Sequence, residues 1–269
     1  MVKSKRNIII YGTIFLGVLG CFVMYIFLSR NTAYIEVKYE IKYPSDTLFT
    51  LQEFSSYVDK VNPLILGKKF TDINLSVYEK NIETYPYISD AEVVNNRGIL
   101  VVKAIQEKII ARVLNNKDEW FWLAQSGKFV PKTKKNPGRI LVINGNINEG
   151  YSKDNNISRI KQGKNAENYP SLILAWKIAC FVSDDLFWQA QISQIYINEK
   201  YQIELIPTVG EHAILFGSVS KHENIDEVIK KKFSYLKRLY EDGFKITGWD
   251  RYKLINMKYG REIPCEKRE

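Results

Sequence analysis

The chain has 269 residues, a net charge of +9 and three cysteines. Three of the nine charges belong to Lys3, Lys5 and Arg6, leaving 36 basic against 30 acidic side chains elsewhere, a mixed surface without the one-sided basic face of a nucleic-acid binder. Cys180 and Cys265, the two cysteines beyond the first thirty residues, are too few for a disulfide framework.

Residues 8–28 read IIIYGTIFLGVLGCFVMYIFL, with no charge and no proline. At a helical rise of ~1.5 Å per residue the run is roughly 31 Å long, the thickness of a bilayer's hydrocarbon core. A helix there bonds all its backbone groups internally, as lipid requires. The run exceeds the apolar region of a cleaved signal peptide and ends without a small-residue cleavage motif. The sequence therefore predicts one transmembrane helix at 8–28. Three basic residues precede it and only Arg30 follows closely, so the positive-inside rule leaves a tail at 1–7 in the cytoplasm and the rest of the chain outside the cytoplasmic (inner) membrane. Thr13, Gly17 and Cys21, four apart, place small groups on one helical face where a second membrane helix could pack; glycine is also simply frequent in such helices.

Residues 34–41, YIEVKYEI, alternate apolar and polar as a half-buried strand does. Helices are expected at 48–61 and at 72–84, the second capped by Asp72 and stopped before Pro86. A hairpin follows, with strands 87–94 and 99–105 and a turn at 95–98 whose Gly98 supplies positive φ. Residues 146–168 are polar and rich in Asn, Lys and Gly, an expected exposed excursion. Next come a short apolar helix at 172–182 and strands at 192–197, 202–206 and 212–216. Asn224 and Glu227 open a helix in the manner of a capping box. Its apolar stripe, Ile225, Val228, Ile229, Phe233, Leu236, Leu239 and Tyr240, runs to a terminating Gly243, with the lysines on the other face. A last strand is expected over 254–263, with residues 255, 257, 259, 261 and 263 on one face.

Catalytic groups do not converge in this pattern. The two histidines are His212 and His222. Glu211 and His212 are neighbours in an expected strand and point to opposite faces, so they cannot share a ligand. Asp184 and Asp185 have the composition of an acid pair for glycoside cleavage, but two adjacent carboxylates between apolar segments read first as a helix-end turn. No phosphate loop, HExxH, GxSxG or CxxC motif occurs. No catalytic residue, metal or cofactor is expected.

Two stretches carry a family resemblance. Strand, helix, helix, strand, strand over about 75 residues, with Tyr85-Pro86-Tyr87-Ile88-Ser89-Asp90-Ala91-Glu92-Val93, resembles a POTRA domain. Residues 119–131, EWFWLAQSGKFVP, followed by a strand at 139–143 and Gly145, are similar to the start of the β domain that follows POTRA in the bacterial division proteins FtsQ and DivIB. Gly210, Ile214, Gly217, Gly248, Trp249, Tyr252, Ile255, Asn256, Lys258 and Tyr259 resemble the carboxyl end of that family's Bacteroidota-like branch. The resemblance implies an α+β protein: a single N-terminal transmembrane helix, a POTRA domain (βααββ) at 34–110, and a β-rich domain with flanking helices at 111–269. It implies a non-enzymatic divisome scaffold that binds FtsB and FtsL-type division proteins through its C-terminal sheet edge and regulates septal peptidoglycan synthesis. Tyr259 is then the first partner-binding residue, with Lys258, Arg261, Ile263 and Trp249 beside it; ordinary β core is the competing reading of the same side chains. The alternative functions are a membrane-tethered envelope enzyme or ligand-binding module, or a POTRA chaperone.

Overall fold

A computed structural model describes residues 11, 14–26, 33–44, 46–62, 64–133, 135, 138–152, 155–160, 167–260 and 262–268. Residues 14–26 are helical and largely exposed, and no described helix is long and apolar enough to cross a membrane. Both ends of the expected span lie outside the described residues, as do Lys3, Lys5, Arg6 and Thr13. The expectation of a span therefore rests on the sequence. The chain divides into a smaller unit that ends at Gln106 and a larger one from Glu107 onward, which also holds Tyr43–Leu48.

In the smaller unit, strand β1 (Glu36–Lys42) is followed by helices α1 (Leu51–Val61) and α2 (Leu75–Glu83) and strands β2 (Ile88–Asn96) and β3 (Ile99–Gln106). The sheet order is β1-β3-β2, with β1 parallel and β2 antiparallel to β3. The expected βααββ order is present. Thr50 and Glu53 cap α1 reciprocally: the Glu53 amide donates to Thr50 Oγ1 (3.1 Å) and the Thr50 amide to Glu53 Oε2 (2.7 Å). That fixes the rotation that buries Phe54 and Val58. Asp72 does not cap α2. It sits in a one-turn 3₁₀ helix, and Asn74 accepts from the Val77 amide instead (3.3 Å). The hairpin between β2 and β3 places both Arg97 (φ 50°) and Gly98 (φ 94°) in the left-handed region, as a two-residue turn matched to strand twist requires. One edge of this sheet is closed by a side chain: the Val93 amide donates to Glu79 Oε1 of α2 (2.8 Å).

The larger unit is built on nine strands: β4 (Ile109–Leu114), β5 (Trp120–Ala124), β6 (Phe129–Val130), β7 (Leu141–Gly145), β8 (Ile192–Ile197), β9 (Ile203–Pro207), β10 (Ala213–Gly217), β11 (Tyr252–Asn256) and β12 (Cys265–Lys267). Their order in the sheet is β12-β11-β10-β9-β8-β7-β4-β5-β6. Strands β4, β7 and β8 run parallel at its centre. Helices α3 (Ser171–Ser183) and α4 (Leu186–Gln191) form the crossover from β7 to β8, and α5 (Ile225–Arg238) joins them. One face of the sheet supplies Val113, Ile143, Ile195, Leu205, Ile214, Phe216 and Ile255 to a core shared with Leu174, Ile178, Trp188, Ile229 and Phe233 of the helices. Each such fully buried side chain contributes about 1.5–3 kcal/mol of transfer free energy.

Three expectations are corrected. The helix after Asn224 does not stop at Gly243, which keeps a helical φ of −69°. It widens into a π turn over Leu239–Gly243 and continues as α6 (Phe244–Thr247), where Gly248 (φ 81°) ends it. The excursion at 146–168 is not wholly exposed: Ile147 and Ile157 are buried, and residues 155–157 lie along the β6 edge. There the Ile157 amide donates to Gly127 O (2.8 Å) and the Phe129 amide to Asn155 O (3.2 Å). Finally, the strand expected over 254–263 is two strands. The chain leaves β11 after Asn256, turns, and returns antiparallel as β12.

Candidate partner-binding edge

The carboxyl end is organised by the aromatic cluster that the π turn creates. Tyr240 stacks on Trp249 with ring centroids 5.1 Å apart, and Phe244 lies 4.9 Å from the same indole. His212 is buried beneath them with Nε2 3.2 Å from the Tyr240 hydroxyl. Burial pushes the pKa of His212 below the usual histidine range and that of the Tyr240 phenol upward. Trp249 is therefore a packing residue that delivers the chain into β11. The neighbouring Glu211 is exposed and His212 buried, so the two do point to opposite sides.

Beyond β11, the Asn256 side chain accepts from the Lys258 amide (3.1 Å) and the Met257 amide donates to Leu215 O (2.9 Å). These bonds turn the chain, and Gly260 at φ 72° completes the reversal. The aliphatic part of Lys258 lies against Gly217, where a Cβ would come 2.9 Å from Lys258 Cγ. Tyr259 stands at the apex, 66 % exposed, with no ring contact or side-chain hydrogen bond among the described residues. Ile263 is half-buried against the core, and Arg261 lies outside the described residues. Of the five side chains singled out from sequence, Tyr259 is the one left available, Lys258 is exposed at its head, and Trp249 and Ile263 are committed to packing. Gly17 and Cys21 are both exposed on the N-terminal helix.

The strand β12 is the outermost of the nine-stranded sheet. Asn256 donates to Pro264 O (2.9 Å) and Arg268 to Arg251 O (2.9 Å). In an antiparallel ladder inward and outward residues alternate, so the Cys265 and Lys267 backbones face away from β11. The strand is held from its inner side by a Lys253–Glu266 ion pair (2.7 Å) and by Arg268, whose guanidinium pairs with the Glu211 carboxylate and donates to Glu211 O (2.9 Å). No strand lies beyond it among the described residues.

A buried lysine, absent from the sequence expectations, supports this end. Lys232 Nζ donates to Phe216 O at the end of β10 (2.7 Å) and lies 4.5 Å over the Phe216 ring. Burial pushes its pKa down to about 8; Glu223 favours the charged form and Lys258 opposes it. The signal was in the spacing, since Lys232 lies seven residues after Ile225 and three after Ile229, on the apolar stripe.

The acids considered for catalysis serve local structure. Asp185 caps α4 by accepting from the Phe187 and Trp188 amides (2.8 and 3.2 Å), and Asp184 ends α3 while accepting from Lys108 Nζ (3.1 Å) and Gln125 Nε2 (3.2 Å). Among the described residues no three acids, cysteines or histidines gather as a metal site. Cys180 and Cys265 are free thiols.

Residues 108–266, more than half of the chain and nearly all of the larger unit, match a family model described as FtsQ/DivIB, C-terminal related. No curated protein matches the chain.

Proposed function

Because the chain belongs to the FtsQ/DivIB C-terminal related family, whose members in general serve the division machinery without catalysing a reaction, we propose that it is a membrane-anchored scaffold of the bacterial divisome. Residues 8–28 anchor it in the cytoplasmic membrane with the basic tail inside and both units outside. The βααββ order of the smaller unit supports reading residues 34–110 as a POTRA domain, followed by the family's β domain. Gly17 and Cys21, with Thr13, offer a face for a partner's membrane helix.

The single observation that carries the partner reading is the open outer side of β12. An extended segment of an FtsB-type protein, with an FtsL-type protein alongside, adds there as a tenth strand by pairing with the backbone of Cys265 and Lys267, and Tyr259 and the Lys258 head flank it. In this way the scaffold links and regulates septal peptidoglycan synthesis. The test is the substitution Lys267→Pro, which removes one outward amide and leaves the inward bonds to β11 in place. Its expected result is about a hundredfold weaker binding of an FtsB-type fragment, read by calorimetry, with an unchanged unfolding midpoint; Lys267→Ala keeps the affinity. Equal affinity for the proline variant would sink the edge-pairing proposal.

A further inference from the structure

Three strands in from β12, the carboxyl ends of the parallel neighbours β7 and β8 open into a cavity of about 560 Å³. Crevices at the carboxyl ends of parallel strands are where α/β sheets recurrently bind small ligands, because the loops there converge while the strands hold them rigidly. The walls come from the chain just after β7, the start of α3, and the β8–β9 hairpin tip.

That tip is fixed in place. The Asn198 side chain accepts from the Lys200 and Gln202 amides, both at 3.0 Å, and Ser171 Oγ of α3 donates to Tyr201 O (2.7 Å). Tyr201 is thereby held at φ 58°, in the left-handed region that a residue with a large side chain rarely adopts, with its ring 46 % exposed at the cavity. The strain is maintained by three hydrogen bonds, and the ring is presented rather than packed.

Around it stand polar groups that the fold does not use. Asn146 and Asn148 each accept from Asn116 Nδ2 (3.1 and 3.2 Å), which leaves their own Nδ2 groups free. The side-chain amide of Gln202 and the hydroxyls of Tyr169 and Tyr201 have no partner among the described residues. Charge is balanced, with Lys200 and Glu149 both in the lining, and the buried Leu172 and Ile197 give an apolar floor. Donors and acceptors in a ring, an exposed aromatic face, an apolar floor and no net charge fit a ligand that has hydroxyl edges and an apolar C–H face. An anion would lack a cationic surplus here, and an extended peptide would find no strand edge to pair with.

We propose that this cavity is a saccharide site, in which a glycan ring packs its C–H face on Tyr201 and hydrogen-bonds to Gln202, Asn146 and Asn148. The site stands independently of the partner edge at β12.

Isothermal titration of the purified full chain with chitotetraose tests it. The expected result is saturable binding below about 10 mM, weakened about tenfold by Tyr201→Ala and by Gln202→Ala, with unchanged unfolding midpoints and with Lys267→Pro binding the sugar as the parent does. Asn148→Ala is the third variant should either of the first two alter the midpoint. Absence of saturation at about 10 mM, an affinity indifferent to all three substitutions, or displacement of the sugar by a tetra-alanine peptide at equal concentration would overturn the assignment.

Discussion

The two ends of the nine-stranded sheet are treated oppositely. At the β6 end, residues 155–157 lie along the chain from Gly127 to Phe129, with bonds at 2.8 and 3.2 Å and Ile157 packed over Gly127, where a Cβ would come 2.7 Å from Ile157 Cγ2. At the β12 end no segment covers the outward groups among the described residues. An exposed edge invites association, and proteins ordinarily blunt theirs. A chain that closes one edge with its own backbone and leaves the other bordered by Glu266, Lys267 and Arg268 therefore separates a structural edge from a usable one. The smaller unit shows the same device on a finer scale, with Glu79 occupying the Val93 amide.

This contrast can be broken from either end. The largest effect is expected from Ile157→Ala, which empties a buried site in the seal and should cost about 3–4 kcal/mol in urea unfolding; a loss under about 1 kcal/mol would mean that the seal contributes little. At the open end, Lys232 links stability to pH. Its folded pKa of about 8 lies below the value of 10.5 it has when unperturbed, so between the two the unfolded chain binds more protons and stability rises with pH. Relative to Lys232→Met, the parent should gain at most about 3 kcal/mol from pH 7.5 to pH 10, and parallel curves would contradict the buried charge. Lys267→Pro comes next, with the hundredfold loss of partner affinity described above, about 2.7 kcal/mol, and no change in stability. Tyr259→Ala should be smallest: about a fivefold loss of that affinity, with a stability change within about 0.5 kcal/mol because the ring touches nothing.

Much of the fold was legible because local rules and tertiary demands agree. Strand β8 falls where apolar alternation placed it, the Asp184–Asp185 turn joins two helices as expected, and α1 begins within three residues of its predicted start. The failures share a cause: each depends on a partner distant in sequence. That residues 155–157 would pair with the β6 edge could not be read from their polar composition. The break in the last strand was signalled by Asn256 and Gly260, both turn residues, but the alternation of Tyr259 and Ile263 with charged neighbours masked it. Trp249 reads as an interface aromatic until Tyr240 and Phe244 are placed on it. Lys232 was misjudged for a different reason, since residue type was allowed to outweigh its position on the apolar stripe.

The π turn at Leu239–Gly243 has a consequence for how this end of the protein tolerates change. Its bond from the Phe244 amide to Leu239 O spans one residue more than an α-turn. Removing any single residue between the two would restore ordinary winding, and each helical residue advances the side-chain direction by about 100°. Everything downstream would be rotated by that angle: Phe244 would leave the His212–Trp249 cluster, and β11 and β12 would enter out of phase with β10. The extra residue acts as a phase setter, so a length change of one here should be more disruptive than most substitutions in the strands it aligns.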